Sequence, residues 1–182
     1  PSSVIADGDS IILPAQSARV EHEGEIGVII GRRLHRVSSK EASSAVDRIV
    51  AANDVTARDL QRKDSQWTRA KGFDTFCPLG EPAKAPADLS TLTVVTRVNG
   101  EERQRGAVSD MVFSIPDVIA YVSEIMTIEA GDLLLTGTPA GVGILQPGDE
   151  VEVEILSRAE PGSGTSQSEA VVSRVKNPVK GA

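Results

Sequence analysis

Glu21, Glu23 and Glu25 take alternate positions in VEHEGEIGVIIG, residues 20–31, just before the segment turns apolar. In extended backbone successive side chains alternate faces, so the three carboxylates share one side and His22, Ile26, Val28 and Ile30 take the other. Residues two apart on a strand have alpha carbons about 6.5–7 Å apart, so both carboxylates can converge on one cation. Gly24 and Gly27 leave room for close backbone approach. A solvated acidic face would carry the same pattern and need no ligand. This stretch alone leaves both readings open.

Further candidates follow along the chain. Asp54 opens the acidic run of NDVTARDLQ, residues 53–61, directly after a predicted helix. A helix C-terminus disfavours an anion, so the carboxylate there suits either a bound cation or an Asx turn. Arg58 and Asp59 could pair to brace that loop. Lys71, flanked by Gly72, Phe73 and Phe76 in RAKGFDTFCPLG (69–80), fits a pocket or plain solvent equally well. LTGTPAGVG (135–143) lacks the Gly-Lys-Ser/Thr ending of a phosphate loop, and no helix pattern follows it. It reads as a tight turn presenting hydroxyl and amide groups to a cleft. His22 and His35 lack zinc spacing, and no serine-hydrolase elbow is present. Cys77, Trp67 and Tyr121 read as packing residues.

The elements that must position these groups are mostly strands. A Gly-Asp turn ahead of an apolar run recurs in DGDSIILP (7–14), AGDLLLTG (130–137) and PGDEVEVEI (147–155). Glycine supplies the turn conformation and aspartate bonds the turn backbone. STLTVVTRVNGEERQ (90–104) predicts two strands joined at Asn99-Gly100. Two main helices are expected. One starts in SSKEASSAVDRIVAAND, with a Ser38/Glu41 capping box and an apolar face of Ala42, Ala45, Val46, Ile49 and Val50. The other starts near Ser114, with Pro116 in its first turn and Val118, Ile119, Val122, Ile125 and Met126 on its buried side. The polar, Gly/Ser-rich 157–170 predicts a flexible loop. Strands at both ends with separated helices imply an α+β fold, a mainly antiparallel sheet or roll, rather than an alternating parallel one. Its 182 residues suit one domain, 1–182.

Composition narrows the partners. A net charge of −7 disfavours nucleic acid or an anionic membrane. Aromatics at 3% leave few stacking platforms. One cysteine rules out an internal disulfide and fits a reducing, cytoplasmic setting. No run approaches the ~20 apolar residues of a membrane helix, and no leader pattern is visible. The chain opens at Pro1 in a turn-and-strand pattern, so an N-terminal portion of the natural protein is expected to lie outside it.

Taken in order, HEGEIGVIIG, NDVTARDLQ, RAKGFDTFCPLG, DMVFSIPDVIAYVSEIMTIEAGDLLLTGTPAGVG and PGDEVEVEI resemble the fumarylacetoacetate hydrolase family over nearly the whole chain. The resemblance implies a mixed β-roll, homodimers, and magnesium or manganese, with calcium as a further candidate. It implies Glu23, Glu25 and Asp54 as metal ligands, with Glu21 an accessory or surface charge. It implies Gln61 and Lys71 as catalytic, substrate-contacting residues and Thr138 as a ligand of the substrate carboxylate. Oxygen donors of this kind suit hard cations rather than zinc or copper. The reaction it implies is C–C bond hydrolysis of an acylpyruvate or fumarylacetoacetate-like acid through a stabilised enolate. The alternatives are isomerisation or decarboxylation of 2-hydroxy-dienoate or oxaloacetate-like acids, as in aromatic catabolism, or an inactive binding protein of the same fold. The family's hydrolases draw a His-Glu pair from an N-terminal lid segment that this sequence does not contain. His22 faces away from the ligands, which suits a core or interface role.

Overall fold

The computed structural model describes residues 2–158 and 169–182. The chain runs through β1 (Val4–Ile5), β2 (Ile11–Leu13), β3 (Val20–His22) and β4 (Gly24–Ile30) before α1 (Ser39–Ser43). It continues through β5 (Val46–Asn53), β6 (Thr56–Ala57), α2 (Arg58–Lys63), α3 (Thr68–Lys71), β7 (Cys77–Pro78) and β8 (Ala83–Lys84). Then come β9 (Leu92–Val98), β10 (Glu101–Ala107), α4 (Ile115–Ile125), β11 (Leu133–Leu135), β12 (Gly143–Ile144), β13 (Glu150–Arg158) and β14 (Glu169–Gly181).

These strands form mixed sheets of an α+β fold. The largest has the order β10-β9-β13-β14-β2, and beside it lie β11-β4-β5-β8 and β12-β3-β6. Most pairings are antiparallel; β14 with β2 and β1 with β7 run parallel. One core fills the space between β4, β5, β9, β13 and α4, with Ile26, Val28, Ile49, Ile115, Ile119 and Ile155 at its centre. A second core, around Ile11, Val20, Val55, Leu60, Phe76 and Leu145, lies beneath the three-stranded sheet and α2.

Local chemistry explains the entries to the strands. In the three Gly-Asp turns the N–H groups of Ala6, Glu129 and Gln146 donate to Asp9, Asp132 and Asp149 at 3.0, 2.8 and 2.7 Å. The intervening Gly8, Gly131 and Gly148 hold φ of 84°, 92° and 96°, left-handed values that a side chain would strain. Asn99 and Gly100, with φ of 54° and 80°, close the β9–β10 hairpin as expected.

The helices depart from expectation in two ways. The Ser38/Glu41 capping box is present, but it starts a helix of five residues, and Val46–Asn53 is the strand β5. From Ile49 to Asn53 every residue is buried, and a strand covered on both faces loses its alternation and can imitate a helical stripe. Helix α4 starts at the Ser114 cap with Pro116 in its first turn, but its buried residues are Ile115, Ile119 and Ser123. Ile125 and Met126 are exposed, as are Tyr121 and Trp67, so neither aromatic is a packing residue within the chain. Of the loop expected over 157–170, residues 159–168 lie outside the described residues; Ser157 and Arg158 end β13, and Glu169 and Ala170 begin β14.

Candidate metal centre

Two neighbouring strands change sheets at the same place. β3 pairs with β6 in one sheet, while β4 and β5 on their far sides pair in another. Glu23 stands in the break between β3 and β4, and Asp54 in the break between β5 and β6. The breaks are stitched together: the Asp54 N–H donates to the Glu23 carbonyl and the Glu23 N–H donates to Asn53 Oδ1, both at 2.9 Å. Asp54 therefore ends a strand, not a helix, and the helix-dipole rationale does not apply to it. It faces Glu23 because both strands turn the same corner.

Glu25 enters from β4. Its Oε2 accepts the Gly137 N–H at 2.7 Å, and Gly137 follows β11, the strand paired to the other edge of β4. Between the two glutamates Gly24 admits β9 so closely that a β-carbon there would overlap the Thr96 hydroxyl. One carboxylate oxygen from each of Glu23, Glu25 and Asp54 lies within 4.8 Å of the other two. Glu23 and Glu25 are buried, so the solvated-face reading fails for them.

Cations arrive from the segments that follow the corner. Lys71, ending α3, bonds Glu23 Oε2 at 3.1 Å, Thr56 Oγ1 at 3.2 Å and Asp54 Oδ2. Arg58, opening α2, bridges Glu23 and Glu21, the latter at 2.7 Å, and donates to Gln61 Oε1 at 2.5 Å. Arg19 holds the other oxygen of Glu21 at 2.6 Å. Glu21 is thus a buried accessory and not a surface charge. Burial raises its pKa, but the bonds from Arg58 and Arg19 outweigh that and bring it below the usual value. Asp59 accepts from Ser17 and Ala18, so it braces the chain ahead of β3 and is not the partner of Arg58. The pattern at 53–61 named Arg58 only for that other role, and its place between two buried glutamates becomes visible only once the corner is formed.

Positive charge falls short of negative charge here. Burial, and then the neighbouring Asp54 charge, push the Glu25 carboxyl up to about 7. Burial also raises Asp54, although Lys71 opposes it. Three converging carboxylates that offer oxygen donors only, two of them raised by burial, fit a hard divalent cation.

The remaining candidates sort simply. His22 is buried and points away from the triad; its Nδ1 meets Gln104 Oε1 at 3.1 Å, and burial lowers its pKa, which leaves a neutral ring. Cys77 is partly buried, and burial pushes its thiol up to about 11, so it is a poor nucleophile. The 136–139 turn forms one wall of a cleft of about 380 Å³ lined also by Val108, Met111, Val112 and Phe113. Gln104, which the sequence presents only as the end of the predicted 90–104 hairpin, ties this turn to Gly24 of β4.

Residues 1–175 match the family model for the fumarylacetoacetate (FAA) hydrolase C-terminal. The chain belongs to this family. A protein of Archaeoglobus fulgidus is 49% identical over 154 residues, which are 85% of this chain and 62% of that protein. The human oxaloacetate tautomerase FAHD2A, mitochondrial, is 43% identical over 167 residues, 85% of this chain and 53% of its own length. Among solved structures, 5-carboxymethyl-2-hydroxymuconate delta-isomerase from Mycobacterium smegmatis superposes with a TM-score of 0.87 at 38% identity, covering 100% of this chain and 66% of that one. The chain thus spans under two thirds of the length of these family members. Among the described residues no helix is long and apolar enough to cross a membrane.

Proposed function

We propose that this chain carries the centre of a divalent-metal-dependent isomerase or tautomerase of 2-oxo acids, moving a proton between C3 and the ketone oxygen. The observation that carries the reading is the convergence of buried Glu23 and Glu25 with the half-buried Asp54, and Lys71 among them. Relatives named as a tautomerase and a delta-isomerase support proton transfer over the C–C hydrolysis that the sequence resemblance first suggests.

Glu23, Glu25 and Asp54 hold the cation, magnesium or manganese by donor type, with calcium also accommodated. When bound, the cation supplies Lewis acidity toward the ketone oxygen. Lys71 places a positive charge beside the oxygen that becomes negative as the C3 proton leaves. Burial favours loss of its own proton, but the bond and charge of Asp54 outweigh burial and keep Lys71 charged. Gln61 and the Thr138 turn hold the substrate carboxylate and so fix the orientation of C3 and the ketone oxygen. No atom is gained or lost, so the reaction consumes no water. Homodimers are part of the same proposal; the exposed Val112, Phe113, Tyr121, Ile125 and Met126 supply apolar surface that pairing would bury.

Protein loaded with Mn²⁺ is mixed in turn with the enol of oxaloacetate, a dienol diacid and an acylpyruvate. Loss of enol absorbance without cleavage is the expected result. Pyruvate plus a free carboxylic acid would establish the hydrolase reading instead, and CO₂ release the decarboxylase. Binding without turnover of any of them would leave an inactive binding protein.

A further inference from the structure

Gln104, in β10, is buried with every polar atom engaged. Its Oε1 accepts the Gly24 N–H at 3.0 Å and faces His22 Nδ1 at 3.1 Å. Because that oxygen can only accept, Nδ1 carries the histidine proton. The Gln104 Nε2 donates to Thr138 Oγ1 at 2.7 Å and to the Pro139 carbonyl at 2.9 Å. One side chain therefore joins Gly24, which separates two ligand glutamates, to the turn that meets the substrate carboxylate. Thr138 closes the ring by donating its hydroxyl proton to the Gly24 carbonyl at 2.9 Å.

A hydroxyl has one proton. The Thr138 proton is committed to Gly24, and Gln104 occupies one of the lone pairs. A carboxylate only accepts, so the hydroxyl cannot serve it without breaking the bond to Gly24. The Gly137 N–H is committed to Glu25. The Thr138 N–H has no acceptor among the described residues.

We propose that Gln104 is a positioning residue: it locks the Thr138 hydroxyl inward as an internal strut, so the turn presents the Thr138 backbone N–H to the substrate carboxylate. Gln104 touches neither cation nor substrate, and its effect travels through the turn. The inference rests on the 2-oxo acid reading above and changes which atom of Thr138 does the binding.

The test is a double-mutant cycle read by calorimetry, with Mn²⁺ first and then oxalate, a planar mimic of the enolate, added to the Mn²⁺-loaded protein. Gln104→Met and Thr138→Val each remove one half of the strut and are expected to weaken oxalate binding by about tenfold, the scale of outer-shell partners. The double variant is expected to be no weaker than either single one, because replacing both halves leaves no orphaned partner between them. Mn²⁺ affinity is expected to stay within about threefold of wild type in all of them, a smaller change than an outer-shell partner of a ligand produces. Where Gln104→Met does not fold, Gln104→Glu takes its place: it keeps the acceptor for Gly24 and removes the donor to the turn.

Oxalate affinity unchanged in the Gln104 variants, with loss in Thr138→Val alone, would make the hydroxyl a direct ligand and overturn the proposal. Multiplying losses in the double variant, or Mn²⁺ and oxalate affinities falling together, would also overturn it. A wild-type protein that binds Mn²⁺ but no oxalate would sink the 2-oxo acid reading itself, and the proposal with it.

Discussion

Two stretches of this chain place glutamates at every second position, and they meet opposite fates. In β13, Glu150, Glu152 and Glu154 stand on the more open face of the large sheet, beside cations of the flanking strands. Lys176 lies 2.7 Å from Glu150 and Arg174 3.6 Å from Glu152, while Arg97 pairs with Glu154. In the β3–β4 segment the same alternation puts Glu21, Glu23 and Glu25 indoors. The local pattern is shared, so burial must come from elsewhere. β13 stays within one sheet, flanked by neighbours along its length. The β3–β4 strand changes sheets at Glu23, and Asp54, Arg58 and Lys71 fold over the corner that results. An acidic stripe becomes a site when the backbone beneath it bends and brings other charges against it.

The comparison breaks most sharply under neutral substitution. Glu23→Gln or Asp54→Ala is expected to weaken Mn²⁺ binding by more than about 100-fold, beyond the range of outer-shell changes, whereas Glu152→Gln should leave it unchanged. Titration calorimetry on the three proteins decides. Equal affinities would return Glu23 and Asp54 to the class of ordinary paired carboxylates.

Next in size is the loss of Arg58. Glu21 and Glu23 would both be left buried without their shared guanidinium, and removing one partner of a buried pair costs on the order of 3–5 kcal/mol. Arg58→Met should therefore lower the denaturation midpoint strongly in metal-free protein. Arg174→Met, on the open face, should move it little. If the two variants melt together, the corner is no more buried than the sheet.

Protons sharpen the contrast further. The folded-state pKa of Glu25 is raised to about 7 from 4.5, so between those values the folded chain holds a proton that the unfolded chain has released. Metal-free protein must then lose stability as pH rises through that window, and Asp54 acts in the same direction. Glu21, lowered, works oppositely, its contribution fading only as pH falls below its ordinary value. Thermal melts in chelator from pH 5 to 8 should show melting temperature falling with pH, and Glu25→Gln should flatten the slope. Excess Mg²⁺ should raise the melting temperature more at pH 8 than at pH 6, because the cation requires the deprotonated carboxylates.

The same contrast measures how far the sequence could be read. Turns announced themselves: Gly-Asp ahead of β2, β11 and β13 and Asn99-Gly100 between β9 and β10 carry their chemistry in adjacent residues. Together with the helix entries at Ser38 and Ser114 they give the α+β class. Val46–Asn53 misled because strand β5, covered on both faces, shows the apolar continuity of a buried helix. That error took with it the reason offered for Asp54, although the residue itself is in place. Glu23 and Glu25 were named as ligands through resemblance, since the alternation in β13 shows that spacing could not separate them from a solvated stripe. Arg58 at the corner and Gln104 behind the turn were illegible for a common cause. Each acts on residues far away in sequence, Gln104 on Gly24 and Thr138 and Arg58 on Glu21 and Glu23, and no local pattern records such a partner.

The smallest effect belongs to the Glu150–Lys176 pair. Its atoms lie 2.7 Å apart, as close as the bond between Arg58 and Glu21, so distance alone would rank the two equally. Glu150 is exposed, however, and water already solvates both partners before they meet, so little is gained by contact and salt screens what remains. Lys176→Met should leave the melting temperature within error at moderate ionic strength, and any difference seen in dilute buffer should vanish on adding salt. A salt-resistant loss would mean that the β13 glutamates are shielded from solvent, by a second copy of the chain or by residues beyond those described. The distinction between the two stripes would then lie in what the corner gathers around its carboxylates and no longer in burial.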